Sequence, residues 1–274
     1  VFVSLICLFL MREGLPALIN VPISSLVGRF WYPIEGYFAL WPLVLGSIVV
    51  TVGALIIAIP LGVGTAIYIA EVAPAWMTEI LKPLVEILAG LPSVVLGFIG
   101  ILVLSPYIRR SLGLATGLTA FTGAILLGWA AIPTIVSIAE DALHAVPRSY
   151  REASMALGAT RWQTIWSVTL PSARSGVLTA IMLGMGRVIG ETMAVMMVTG
   201  NAPVGNIAWN TLFSPVRTMT ATIAAEMGEV ANGSTHYQVL FLIGCLLFVM
   251  SLIINLLAFS ISSHKLKRSE RLLS

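Results

Sequence analysis

The sequence predicts an all-α membrane protein with six transmembrane helices, and three observations carry that prediction. Of the 274 residues, 58% are apolar and only 10% are charged. Soluble domains carry about 25% charged residues. A chain this poor in charge cannot clothe a water-facing surface, so lipid is part of its solvent. Second, stretches of the length a bilayer demands, about 20 mostly apolar residues, recur along the chain. Third, these stretches are continuously apolar and do not alternate over about ten residues, which argues against a transmembrane β-barrel.

Residues 1–11 are apolar but too short to span alone. They lack an initiating methionine and read as the end of a first span truncated at its N-terminus. A signal peptide fits less well, because no basic segment precedes them and no small-residue cleavage site follows. Residues 36–70 hold no charge and contain the second span, 43–70. A third follows at 87–104 and a fourth at 114–139. The fifth, 175–199, is interrupted by Arg187 and Glu191, and the sixth is 239–261. All six belong to one transmembrane domain, 1–274. Glycine and proline punctuate the spans at Pro60, Gly62, Gly64, Gly90, Pro92, Gly97 and Gly100. Most read as small residues that let helices pack closely in lipid. Leu91-Pro92-Ser93 is the candidate for a real break, which a membrane tolerates only where freed backbone groups find partners.

The basic residues set the topology. Arg12, Arg29, Arg109, Arg110 and Arg217 fall on one side of six alternating spans. Lys82, Arg148, Arg151, Arg161, Arg174, Lys265, Lys267, Arg268 and Arg271 fall on the other, and the richer side is cytoplasmic. Both termini and the loop 142–174 are then expected in the cytosol, leaving only Arg187 within a span. The outer loops hold Trp31, Tyr32, Tyr37, Trp41, Trp209 and Tyr237, rings suited to the headgroup boundary. A net charge of +3 without a basic, aromatic-interleaved run gives no sign of nucleic-acid binding. Cys7 and Cys245 sit in apolar stretches as small hydrophobes. His144, His236 and His264 share no metal-ligand spacing.

The loop 142–174 is the most polar part of the chain. It reads as a short helix, a turn and a second short helix closed by Leu170-Pro171. Ser149-x-x-Glu152 is a candidate capping box. Tyr150, Ala153 and Leu157 form one apolar stripe, and Arg148 and Glu152 are neighbours one turn apart on another face. Gly158 suits a left-handed helix stop. The element is amphipathic, with a face available to a partner.

These residues resemble the cytoplasmic pattern of ABC importer permeases: EAA, three residues, Gly, nine residues, Ile, one residue, Leu-Pro. Glu152-Ala153-Ser154 is followed after three residues by Gly158, then after nine by Val168, then by Leu170-Pro171. Ser154 for alanine and Val168 for isoleucine are the departures. The resemblance implies a type I ABC importer permease fold whose coupling helix docks into a cytoplasmic ATPase. Glu152, Ala153, Gly158, Leu170 and Pro171 carry that coupling role. No G-x-x-x-x-G-K-[ST] occurs in the sequence, so ATP and Mg are expected on a partner subunit and no cofactor on this chain.

Within the fifth span, Arg187 and Glu191 stand four residues apart, followed by Thr192. On a continuous helix they share a face and can partly neutralise one another. Intramembrane ionisable groups are costly and mark pathways or internal ion pairs. The run GMGRVIGETMAVMMVTGN is similar to the permeases of the Pst phosphate uptake system. So are MREGLPAL, AIPLGVGTAIYIAEVAP, GLPSVVLGFIG and SPVRTMTATIAAEMGEVANGSTHYQVLF. GETMAV, TGN and RTMTATIAAEMGE resemble the C subunit more than the A subunit. The resemblance implies a bacterial inner-membrane location and four kinds of partner: a second, PstA-like permease, a dimeric PstB-like ATPase, an extracytoplasmic PstS-like phosphate-binding protein, and lipid. It also makes Arg187, Glu191 and Thr192 substrate-pathway residues. A secondary transporter or channel would explain the hydrophobicity and the charge pair but not the 152–171 pattern. A permease for molybdate, sulfate or phosphonate would carry the same charges. No nucleophile–base set marks the chain as an enzyme.

Overall fold

The structure of the protein, a computed structural model, describes residues 2–202 and 209–270, with side chains except at 209, 210 and 257–270. Val1 and Arg271 lie outside the described residues, and Lys265, Lys267, Arg268 and Trp209 outside the described side chains.

The chain opens with α1 (Phe2–Gly14) and α2 (Pro16–Asn20), then a short turn, α3 (Ile23–Leu26). A two-stranded antiparallel hairpin follows, β1 (Trp31–Tyr32) and β2 (Tyr37–Phe38), with Trp31 opposite Phe38. Helix α4 (Trp41–Ile67) runs into a wide π-turn at Tyr68–Val72, and α5 (Ala75–Ala89) follows. Next come α6 (Ser93–Ile99), a π-turn at Gly100–Leu104 and α7 (Ser105–Leu112), continuous with one another. Beyond them lie α8 (Ala120–His144), α9 (Arg148–Ala156), and α10 (Arg161–Thr164). The last passes through a π-turn at Ile165–Thr169 into α11 (Leu170–Gly190). The chain closes with α12 (Met193–Val198), α13 (Met219–Glu226) and α14 (Thr235–Glu270).

Six of these helical stretches are long and apolar enough to cross a membrane: Phe2–Asn20, Trp41–Val72, Ser93–Leu112, Ala120–His144, Arg161–Gly190 and Thr235–Leu256. Large side chains such as Ile19, Leu102 and Val103 stay open along them, as lipid or an apolar neighbour requires.

Helix ends differ from the hydropathy reading in four places, one of them the fourth span, which runs Ala120–His144 where 114–139 is expected. The first apolar helix extends to Asn20, well past Met11, because Arg12 and Glu13 stay within α1. The expected third span at 87–104 is divided: α5 ends at Ala89, Pro92 caps α6, and residues 87–89 belong to the preceding helix. The fifth long helix begins at Arg161 and stops at Gly190, where 175–199 was expected. Pro171 does not close a cytoplasmic helix. A proline removes the hydrogen bond to residue i−4 and crowds that carbonyl. The π-turn just before it loosens the backbone there, and the helix continues.

The backbone divides into two compact units. The first comprises Val1–Ala54, Pro92–Leu127 and Ile189–Ile253. Its core gathers Trp31, Phe38, Leu43, Met219, Leu240 and Ile243. Gly14 lies against the backbone of Leu242, and Phe9 meets Phe241 edge-on at 5.5 Å, which seats α1 on α14. Gly46 lies against the carbonyl of Arg217, while Ser47 Oγ accepts the Met219 amide at 2.9 Å. The second unit comprises Leu55–Leu91, Gly128–Val188 and Ile254–Ser274. Here Ile135, fully buried, fits against both Gly62 and Gly184, so three helices approach closely at small residues.

Candidate functional site

Two places answer to the residues singled out by sequence: the segment between α8 and α11, and the charged end of α11.

Helix α9 starts after Pro147, whose fixed φ and missing N–H suit the residues entering a helix. Ser149 therefore lies within the first turn and makes no cap, so the expected Ser149–Glu152 capping box does not form. The real one opens α10. Thr160 Oγ1 accepts the Gln163 amide at 3.3 Å, and Gln163 Oε1 accepts the Thr160 amide at 2.9 Å. Thr160-x-x-Gln163 fits the same sequence rule as Ser149-x-x-Glu152. Between the helices the chain turns at Gly158, with φ at +87° and amides of Gly158 and Ala159 returning to Met155 and Ser154. The two helices are bridged by Ser154 Oγ and Thr164 Oγ1 at 3.0 Å, so the serine standing where the family pattern has alanine gains a partner.

Glu152, Ala153 and Gly158 are all exposed, together with Tyr150, Met155 and Leu157. Leu157 leaves 90% of its surface open, so with Tyr150 and Met155 three large apolar side chains stand exposed on α9 and its turn. Trp162 and Trp166, also exposed, meet edge-on at 5.8 Å at the start of the next long helix. Leu170 is half-buried and Pro171 exposed, both inside the long helix and away from the α9 turn in sequence.

The opposite side of α9 is fastened down. Arg151 forks onto Glu71 in the π-turn after α4, with Nη2 2.6 Å from Oε1 and Nε 3.2 Å from Oε2. Its Nη1 donates to the Val146 carbonyl at 2.7 Å and its Nη2 to the Leu143 carbonyl at 2.8 Å. Nearby in the same unit, the buried carboxylate of Glu140 lies 3.2 Å from both Lys82 Nζ and His144 Nε2. The hydrogen bond that Lys82 donates to Glu140 is the main cause that raises the lysine above its ordinary value of 10.5. Sequence reading named Arg151 and Lys82 only as topology markers; their partners lie 80 and 58 residues away, beyond any local pattern.

At the second place, α11 stops at Gly190, so Arg187 and Glu191 do not share a continuous helix face. Each has its own partners. Arg187 Nη1 donates to Thr134 Oγ1 at 3.1 Å and Nη2 to the Ala89 carbonyl at 3.2 Å, the last residue of α5. Glu191 Oε1 accepts the Thr192 amide at 3.1 Å and the Ala194 amide at 3.4 Å, satisfying donors at the start of α12. This local bonding competes with helix continuation. Thr192 Oγ1 donates to the Gly190 carbonyl at 3.2 Å, and Thr220 Oγ1 reaches the Glu191 carbonyl at 3.2 Å. Arg187 thus meets neutral oxygens only among the described contacts, and Glu191 meets backbone amides.

A third polar cluster gathers around Glu226. Glu226 accepts from Trp31 Nε1 at 3.0 Å and Arg217 Nη2 at 2.8 Å, with His236 Nε2 at 2.8 Å. Its members come from four sequence segments, and no spacing rule joins them.

The described residues thus hold six helices long and apolar enough to cross a membrane, and an exposed helix–turn–helix that Arg151 fastens to the segments following α4 and α8. The chain belongs to the family described as binding-protein-dependent transport system inner membrane component, whose model matches residues 58–265. It is therefore an ABC importer permease subunit. It is 40% identical over 265 residues to the probable ABC transporter permease protein YqgH of Bacillus subtilis, covering 95% of this chain and 85% of that protein. It is 32% identical over 261 residues to the phosphate transport system permease protein PstC of Mesorhizobium japonicum, with 88% and 79% covered. To the PstC of Xylella fastidiosa (strain Temecula1) it is 34% identical over 256 residues, with 86% and 77% covered. The fold is similar to that of the MetNI methionine ABC transporter in an inward-facing conformation, with TM-score 0.61, 20% identity, and 86% and 99% covered. It is similar too to a bacterial ABC transporter involved in alginate import, with TM-score 0.62, 14% identity, and 94% and 92% covered.

Proposed function

We propose that this chain is the C-type permease of a bacterial phosphate importer, forming half of the translocation pathway and coupling it to an ATPase on another polypeptide. One observation carries the substrate: relatives named as phosphate permeases match at 32–34% identity over 86–88% of the chain. The partners are then a second permease, a dimeric ATP-binding subunit that uses ATP and Mg, and an extracytoplasmic phosphate-binding protein. The chain sits in the inner membrane with both termini and α9 in the cytosol, as the Lys and Arg distribution favours.

Physically, α9 supplies the handle. Glu152, Ala153 and the turn at Gly158 face outward with Tyr150 and Leu157, a surface of the kind an apolar groove on a partner covers. Leu170 and Pro171 act more remotely, by holding the loosened entry into α11. At the pathway, a hydroxyl and a carbonyl orient Arg187 and set no opposing charge against it. It gives an anion a transient resting place. Glu191 and Thr192 keep the adjoining break ordered, and the glutamate's charge opposes tight trapping. A site that conducts must release as well as bind.

The test is uptake of radiolabelled phosphate into proteoliposomes of the full complex, with Arg187→Gln alongside. ATP-dependent phosphate uptake that sulfate and molybdate fail to compete, lost or reduced about tenfold or more in the variant, is the expected result. Uptake of another oxyanion in place of phosphate contradicts the substrate assignment. Normal uptake by Arg187→Gln contradicts the pathway role.

A further inference from the structure

We infer that Arg151, with Glu71 as its counterpart, is the joint through which α9 moves the membrane helices; this rests on reading α9 as the ATPase-docking element. Tyr150, Glu152 and Ala153 flank Arg151 in sequence and face outward, whereas Arg151 turns inward. Its side chain is 18% exposed and that of Glu71 only 9%. One guanidinium joins three elements. Nη2 and Nε fork onto the two oxygens of the carboxylate in the π-turn after α4, while Nη2 takes the carbonyl of Leu143 in the last turn of α8 and Nη1 that of Val146 just past it. Carbonyls at a helix C-terminus have no partner within the helix, and a basic side chain is a natural donor to them.

The geometry sets direction as well as distance. A bidentate guanidinium–carboxylate contact resists rotation as well as separation. The two carbonyl bonds lock the same plane from the other side. A push on α9 cannot slide past the ends of α4 and α8 without breaking charge-assisted bonds in a mostly dry setting. Among the described residues, the other side-chain bond from α9, Ser154 to Thr164, is a lone hydroxyl pair. The joint therefore makes α9 and the ends of α4 and α8 move as one body. A lysine could supply the charge but not the fork.

The experiment uses the full complex in proteoliposomes and measures phosphate imported per ATP hydrolysed. For Glu71→Gln, the expected result is retained ATPase co-purification and hydrolysis with that ratio lowered about tenfold, the effect of losing one charge-assisted bond. Arg151→Lys is expected to lower it similarly. An unchanged ratio in either assembled variant overturns the inference. A second measurement needs no change at the joint: spin labels at exposed Ser149 on α9 and exposed Leu61 on α4 report their separation through the ATP cycle. A constant distance is expected, and a nucleotide-dependent change overturns the joint. If the wild-type complex shows no ATP-driven uptake, the docking reading itself fails. If it does and Glu71→Gln matches it, the joint alone fails.

Discussion

Single residues give the sharpest contrasts, and Gly184 with Gly186 is one. A Cβ on Gly184 would stand 2.5 Å from Ile135, a fully buried, β-branched side chain with nowhere to go. A Cβ on Gly186, half a turn further, meets nothing within 4 Å. Gly184→Ala should therefore destabilise the protein by about 1–3 kcal/mol. Gly186→Ala should be neutral or stabilising by up to about 1 kcal/mol, the helix-propensity difference. Thermal unfolding in detergent distinguishes them, and equal melting temperatures would count against the packing described. Gly158 poses a different problem. Space around it is open, but its φ of +87° penalises a side chain. Gly158→Val should cost about 1–2 kcal/mol locally and weaken co-purification with the ATPase, while Gly158→Asn should largely retain it. Gly158 was legible in sequence because a glycine after an amphipathic stripe has one common use. The cap was not: Ser149-x-x-Glu152 and Thr160-x-x-Gln163 fit one rule, and Pro147, by starting the helix early, decides between them. Arg187 and Glu191 show the same limit, since a four-residue spacing defines a shared face only where the helix continues.

At the scale of helices, hydropathy located the crossings but not their ends. Helix ends depend on backbone partners, and those are found by tertiary contacts that a window of apolar residues does not report. The break at Pro92 was readable because proline disfavours helix in the residue before it. Pro171 carries the same chemistry with the opposite outcome, because a π-turn absorbs it. The pairing of α5 with α8 through Lys82 and Glu140 has a definite pH signature. The hydrogen bond to Glu140 raises Lys82, so its stabilisation is fully present below 10.5 and is lost as pH rises through the higher folded-state value. Lys82 is 44% exposed, and solvent screening keeps the contribution within about 1 kcal/mol. Lys82→Met should thus lower the melting temperature slightly and equally at pH 6 and pH 9. A difference from wild type that vanishes by pH 9 would contradict this assignment.

For the whole molecule, the architecture puts rigidity and exposure in different places. Buried small residues hold the helices together, while Tyr150, Met155 and Leu157 stand exposed on α9 and the turn after it. That surface is useful only if something covers it. The measurement that tests this most directly is cysteine cross-linking and labelling from Ala153, an exposed position on α9, after replacing Cys7 and Cys245. The account predicts an Ala153→Cys cross-link to the ATPase subunit in the assembled complex, and no reaction with a membrane-impermeant thiol reagent added to intact cells. Labelling from outside, with no cross-link in the assembled complex, would contradict it.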